Sequence, residues 1–153
     1  MPDISDNAPD FTLPASGSGE IQLSALRGAP VVLFFYPRDD TTGCTREALD
    51  FTALTGEFDQ IGVRLIGISK DSIAKHDKFR DKHGLTIPLA SDENSATCED
   101  YGVWCEKKMY GKTFMGIERS TFLIDAEGRI ARVWRKVKVP GHAQEVLEAA
   151  RAL

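Results

Sequence analysis

Cys44 stands in the stretch YPRDDTTGC, between a continuous apolar run and an apolar-periodic segment, with Thr41 three residues before it and Pro37 seven before it. A thiol at the point where a strand gives way to a helix is placed for nucleophilic chemistry. The N–H groups of a first helical turn have no intrahelical partners, and the positive end of the helix dipole lies beside them, so both favour thiolate over thiol. The Thr41 hydroxyl is near enough to reach the sulfur or an oxygen bound to it, and Pro37 shields one side of such a pocket. The competing reading of Cys44 is a small packed hydrophobe. Asp39 and Asp40 read as turn formers or helix N-terminal charges rather than catalytic groups.

The elements that must position this thiol are legible from periodicity. PVVLFFYP, Pro30 to Pro37, is an apolar run bounded by proline, as expected of a strand covered on both faces, and VRLIGIS and STFLID read the same way. After Cys44, apolar residues at Ala48, Phe51, Leu54, Phe58 and Ile61 predict one amphipathic helix of about five turns, stopped by Gly62. DSIAKHDKFRDKHG predicts a polar surface helix with Asp71 or Ser72 as N-cap and Gly84 as its stop. SDENSATCEDYG predicts a short helix begun near Asn94 or Ser95. FLIDAEGRIARVW predicts a hairpin around Asp125 to Gly128, and the tail from His142 places Val146, Leu147, Ala150 and Leu153 on one helical face. Strands alternating with helices, then a hairpin and a last helix, indicate a single α/β domain over residues 1–153 with a mixed central sheet flanked by helices.

Composition narrows the function classes. A net charge of -4, with Lys and Arg interspersed among acids, argues against nucleic acid as a partner. The first residues, MPDISDNAPDFTLP, have neither the basic nor the apolar region of a leader, and no apolar run approaches a bilayer span, so a soluble, cytoplasmic protein without a membrane partner is expected. Three cysteines, Cys44, Cys98 and Cys105, do not suit a secreted disulfide scaffold and leave at least one thiol for chemistry. No spacing among Cys98, Cys105 and the histidines is that of a familiar metal site, so no metal and no organic cofactor is expected. His76 and His83 on the polar helix, and His142 at a helix entrance, are expected in solvated or capping roles.

Pro37-x-x-x-Thr41-x-x-Cys44 resembles the active-site motif of the peroxiredoxins, and FFYPRDDTTGCTREALDF resembles specifically the bacterioferritin comigratory protein (BCP), or PrxQ, branch. The similarity continues through APDFTLP, GISKDS, SDENSATCEDYGVW and YGKTFMGIERSTFLID. The resemblance implies a thioredoxin-like fold with the peroxiredoxin N-terminal extension, a monomer, and a thiol-dependent peroxidase acting on hydroperoxides through a Cys44 sulfenic acid. It implies that Cys44 is the peroxidatic cysteine, that the Thr41 hydroxyl bonds the peroxide, that Pro37 lines the pocket, and that Arg119 supplies the guanidinium of the site. An arginine at the start of a core strand suits that role, being charged at every relevant pH and offering fixed donors; an ordinary surface salt bridge is the alternative.

The chain departs from this pattern in how the thiol is recycled. Many PrxQ proteins carry a resolving cysteine five residues after the peroxidatic one, where this chain has Leu49, and another subgroup carries it on the next helix, where SIAKHDKFRDKH has none. Thr42 also replaces a frequent proline. Cys98 reads as a buried structural thiol and Cys105, before the basic EKKMYGK, as the more accessible one. The expectation is a one-cysteine cycle reduced by thioredoxin, by glutaredoxin with glutathione, or by another thiol. The alternative is an atypical two-cysteine cycle resolved by Cys105 or Cys98. A reading of another class, a redox-sensing or chaperone-type binding module on the same fold, has no need of the Pro37, Thr41, Cys44 and Arg119 set.

Overall fold

The computed structural model describes residues 2–17 and 19–153. Its centre is β3 (Val31–Phe35), buried at every position and flanked in parallel by β4 (Arg64–Ser69) and antiparallel by β8 (Ser120–Ile124). Outward on one side lie β5 (Leu89–Ser91), parallel to β4, and the N-terminal hairpin of β1 (Thr12–Ser16) and β2 (Gly19–Gln22). On the other side β9 (Ile130–Trp134) closes the sheet, giving the order β2-β1-β5-β4-β3-β8-β9. The parallel and antiparallel pairs together make the mixed sheet expected from the alternation of apolar runs and helices.

Alternation along β3 divides the core in two. Val31, Leu33 and Phe35 join Ile66, Ile68, Phe122, Tyr101, Cys98 and the N-terminal residues Phe11, Leu13 and Leu23 on one face. Val32, Phe34 and Tyr36 join Cys44, Ala48, Phe51, Phe58, Phe79 and Val146 on the other, under the helices. Aromatic rings carry much of both halves: Phe34 stacks on Phe51 at 4.7 Å between centroids, and Phe35 lies 5.1 Å from Tyr101.

The expected five-turn helix is two helices, α1 (Thr42–Ala53) and α2 (Thr55–Gln60), broken at Leu54. The break falls where the sequence reads TALTG, and the Thr55 hydroxyl takes the Phe51 carbonyl at 3.3 Å and pairs with Thr86, offering the backbone an alternative to the next helical bond. Helix α3 (Ile73–His83) is capped as expected: the Ser72 hydroxyl accepts from the Lys75 N–H, and Gly84 is left-handed with φ of 63°. The short helix α4 (Thr97–Asp100) starts later than expected because the buried Asp92 carboxylate accepts from the Thr97 and Cys98 N–H groups and fixes its first turn there. The last helix, α5 (His142–Arg151), buries Val146, Leu147 and Ala150, but Leu153 lies beyond it and is exposed.

Between α4 and β8 the basic segment forms a separate two-stranded sheet, β6 (Trp104–Met109) with β7 (Lys112–Ile117). Its two-residue loop, Tyr110 and Gly111, has φ of 52° and 74°, both positive, as hairpin turns that follow the strand twist require. No helix among the described residues is long and apolar enough to cross a membrane.

Candidate active site

Helix α1 begins at Thr42 with Thr41 as N-cap, so Cys44 is the third residue of its first turn and the Thr41 carbonyl accepts from the Thr45 N–H at 2.8 Å. The thiol thus belongs to the first turn of α1, whose N–H groups have no intrahelical partners. Cys44 is only 2% exposed, packed against the α1 and β3 aromatics. From the start of β8, Arg119 reaches across: one guanidinium nitrogen, Nη2, donates to Cys44 Sγ at 3.3 Å, and the other, Nη1, donates to Glu47 Oε1 at 2.7 Å. The guanidinium thus holds a fixed cation against the sulfur and is itself held by the Glu47 carboxyl.

Glu47 escaped the sequence reading, though its position three residues after Cys44 on a helix places it on the same face. It is 1% exposed, and Oε2 finds no hydrogen-bond partner among the described residues. Burial pushes its carboxyl up to about 7, partly offset by the Arg119 guanidinium. Gly43 is the other unforeseen participant. A Cβ on it would lie 3.1 Å from Arg119 Nη2, so the absence of a side chain admits the guanidinium to the helix start.

The loop between β3 and α1 carries Pro37 and Thr41. Pro37 is half-buried at its beginning, and the Thr41 hydroxyl donates to the Arg38 carbonyl at 3.0 Å, which leaves its lone pairs as acceptors. Asp39, expected as a turn former, is instead the anchor of this loop. Its carboxylate accepts from the Tyr36 hydroxyl at 2.6 Å and meets His76 Nδ1 at 2.6 Å, and its N–H donates to Asp71 at 2.8 Å. His76 is accordingly not a solvated residue of a polar helix: it is fully buried, with Nε2 donating to the Ala90 carbonyl at 3.0 Å. Asp39, Asp71 and His76 hold three ligand-type atoms within 4.8 Å of one another, but these atoms are knit by their own hydrogen bonds, Asp71 also accepting from Ser69.

The other histidines divide. His83 keeps the expected surface role, its Nε2 on Asp40 at 2.8 Å beside Lys82. His142 is buried, 2.8 Å from the Thr121 hydroxyl and edge-on to Phe51 and Trp134, and burial pushes its imidazolium down to about 4, so it is neutral at physiological pH.

Neither of the two remaining cysteines is paired. Cys98 is fully buried in the core half on the far face of the sheet from Cys44, and burial, with the Asp92 carboxylate beside it, raises its thiol far above the usual range. Cys105 is half-exposed at the root of β6, its thiol raised by burial and by Glu118, with Sγ 3.8 Å from the Gly102 carbonyl. Its hairpin also carries Lys107, whose ammonium is pushed down by burial and by the positive charge of Arg119.

The AhpC/TSA family model matches residues 4–133 of this chain. Peroxiredoxin Bcp of Xanthomonas campestris pv. campestris is 51% identical over 147 residues, covering 95% of this chain and 92% of its own. A mutant of Xylella fastidiosa PrxQ superimposes with a TM-score of 0.94 at 43% identity, over 99% of this chain and 97% of that one. The bacterioferritin comigratory protein of Xanthomonas campestris, solved as trapped intermediate and ligand complexes bearing on its alkyl peroxide reduction activity, gives a TM-score of 0.88 at 48% identity, over 93% of this chain and 90% of that one. The fold is thus thioredoxin-like, as the motif resemblance implied.

Proposed function

The chain belongs to the AhpC/TSA family as a Bcp/PrxQ peroxiredoxin, a thiol-dependent peroxidase, and on that premise we propose that it reduces hydrogen peroxide and organic hydroperoxides by a one-cysteine cycle at Cys44. The observation that carries this reading is the division of the Arg119 guanidinium between Cys44 Sγ and the buried Glu47 carboxylate. The alkyl peroxide activity of the Xanthomonas relative supports the organic substrates.

In the first step the Cys44 thiolate attacks the terminal peroxide oxygen. An S–O bond forms, the O–O bond breaks, and the departing oxygen takes a proton and leaves as water or an alcohol, with Cys44 oxidised to sulfenic acid. Arg119 and the first-turn N–H groups stabilise charge on the departing oxygen, and the Thr41 hydroxyl, already donating to Arg38, accepts a hydrogen bond from the protonated peroxide oxygen. Glu47 is a positioning residue: it holds Nη1 so that Nη2 faces the sulfur. No organic cofactor or metal takes part in these steps.

An external thiol then reduces the sulfenic acid, and thioredoxin, or glutaredoxin with glutathione, has the required chemistry. Leu49 denies the helix a resolving thiol, and Cys98 lies behind the sheet. Three unpaired thiols suit the reducing cytoplasm, and a monomer suffices because every site residue comes from one chain. Resolution by Cys105 is the second reading, favoured by its half-exposure at the root of β6. Loss of Cys44 thiol at one equivalent of peroxide, followed by full turnover with an added thiol, is the expected result. Retained turnover in Cys44→Ser overturns the assignment.

A further inference from the structure

The Thr41 hydroxyl turns away from the bond that its position offers. As the N-cap of α1 it would ordinarily accept from an N–H two or three residues on, yet it makes no cap bond and donates instead to the Arg38 carbonyl at 3.0 Å. The Arg38 carbonyl therefore decides which way the Thr41 lone pairs face.

That carbonyl shares a peptide unit with the Asp39 N–H, and the unit is trans, so the two groups point in opposite directions. On the far side the Asp39 N–H donates to Asp71 Oδ2 at 2.8 Å. One peptide plane is thus clamped between a carboxylate behind it and the Thr41 hydroxyl in front. Asp71 is itself held by the sheet. The buried Ser69 hydroxyl, at the end of β4, donates to the same Oδ2 at 2.7 Å, and the buried Ser91 hydroxyl, at the end of β5, donates to the Asp71 carbonyl at 2.6 Å. An ionised acceptor on the N–H also polarises the peptide, which strengthens its carbonyl as acceptor for the Thr41 proton. The Asp39 side chain is anchored separately, by Tyr36 and His76. The loop therefore has one fastening for its path and another for the orientation of this peptide.

We propose that Asp71 is a positioning residue for peroxide reduction: through the Arg38–Asp39 peptide it fixes the Thr41 hydroxyl as donor to Arg38, so that the Thr41 lone pairs accept from the peroxide O–H, an inference that rests on the Thr41 role in the reading above. Thr41 is then set before the substrate arrives, and its hydroxyl need not rotate as the O–O bond breaks. Alkylation of the same thiolate uses no acceptor for a peroxide proton. The two reactions of Cys44 therefore separate this role from a general effect on the fold.

The test compares the second-order rates of hydrogen peroxide and of iodoacetamide at Cys44 in the full chain. In Asp71→Ala the peroxide rate is expected to fall about tenfold, less than the roughly 100-fold for a group that touches the reacting oxygens, while the alkylation rate stays within about twofold of the parent. Asp71→Asn, which keeps an oxygen for the Asp39 N–H, recovers most of the loss. Thr41→Val removes the acceptor itself, and adding Asp71→Ala to it slows the peroxide reaction no further. A parent peroxide rate in Asp71→Ala, an equal fall in both reactions, no recovery in Asp71→Asn, or an additive loss in the double variant overturns the proposal. If Asp71→Ala does not fold, Ser69→Ala, which frees the carboxylate but leaves it in place, decides by the same pair of rates: a fall confined to peroxide upholds the relay, and parent or parallel rates overturn it. Failure of the Thr41 reading shows separately, as a parent peroxide rate in Thr41→Val, whereas a slow Thr41→Val beside a parent-like Asp71→Ala strikes the proposal alone.

Discussion

Cys44 and Cys98 lie against opposite faces of the seven-stranded sheet, Cys44 among the helix-side residues with Phe34 and Cys98 among those of the other side with Phe35. A disulfide needs Cα atoms within roughly 7 Å and Cβ vectors that converge, so joining these two would require β3 and its neighbours to open. The buried, high-pKa Cys98 is therefore a packing residue, and in the proposed one-cysteine cycle the oxidation of Cys44 ends at the sulfenic acid until a thiol arrives from outside.

The first expectation follows directly. Cys98→Ser keeps peroxidase turnover, and mass spectrometry after one equivalent of peroxide finds one added oxygen on Cys44. A Cys44–Cys98 disulfide in the folded protein would sink this account of the core.

Removing the fork of Arg119 separates charge from geometry. Arg119→Lys keeps a cation but cannot serve Cys44 and Glu47 with two fixed nitrogens, so the second-order rate with hydrogen peroxide is expected to fall roughly 100-fold, the usual cost of one donor to a developing anion. Stopped-flow tryptophan fluorescence measures it. A rate within a few-fold of the parent would show that charge alone suffices.

Gly43→Ala tests the close approach of the guanidinium to the helix start. An added methyl within 3.1 Å of Nη2 pushes it from the sulfur, while alanine is the better helix former. The peroxide rate is expected to drop several-fold with the urea midpoint unchanged or raised. A loss of stability matching the loss of rate would count against a local effect on Arg119.

Much of this was legible in the residues. The β3, β4 and β8 runs, the α3 caps and the Cys44 position at the start of α1 follow from apolar runs, turn residues and spacing. Three things were not. The N-terminal hairpin carries Pro14 within β1, which argues against a strand, and only Ala15 and Ser16 of that strand pair with β5. The β6–β7 hairpin has too little buried face to impose an alternating pattern, and its strands read as an exposed basic segment. The burial of Glu47, His76 and His142 depends on partners 21 to 72 positions away, Arg119, Asp39 and Thr121, which no local pattern announces. Polar residues on a helix read as solvated until the tertiary partner is seen.

The Asp39 and His76 pair makes a sharper stability claim than its surface-helix reading would. The Asp39 side chain is 5% exposed, and His76→Leu leaves its buried carboxylate with the Tyr36 hydroxyl but without the imidazole that meets its other oxygen, a change expected to cost roughly 3 kcal/mol by urea unfolding. Tyr36→Phe, which keeps the pair, is expected to cost only about 1 kcal/mol. Equal effects would mean that the ring packing, not the pair, holds the loop.

Glu47 and His142 give the stability a pH signature with two opposed parts. Glu47 is raised by burial from 4.5 to about 7, so its carboxyl stays protonated in the fold while the unfolded chain gives up its proton; stability is full below 4.5 and about 3 kcal/mol is lost as pH rises to 7. His142 is lowered by burial from 6.5 to about 4, so stability is full above 6.5 and falls as acid drives a proton onto the unfolded imidazole. Its share is roughly 2 kcal/mol, allowing for solvent screening at the helix entrance. Between pH 4.5 and 6.5 the two slopes nearly cancel in the parent. Glu47→Gln is expected to unmask the histidine, its stability falling on acidification, and His142→Gln to unmask the carboxyl, its stability falling as pH rises. Urea midpoints for the three proteins across this range decide it, and curves that run parallel would show that neither group titrates in the fold as its burial requires.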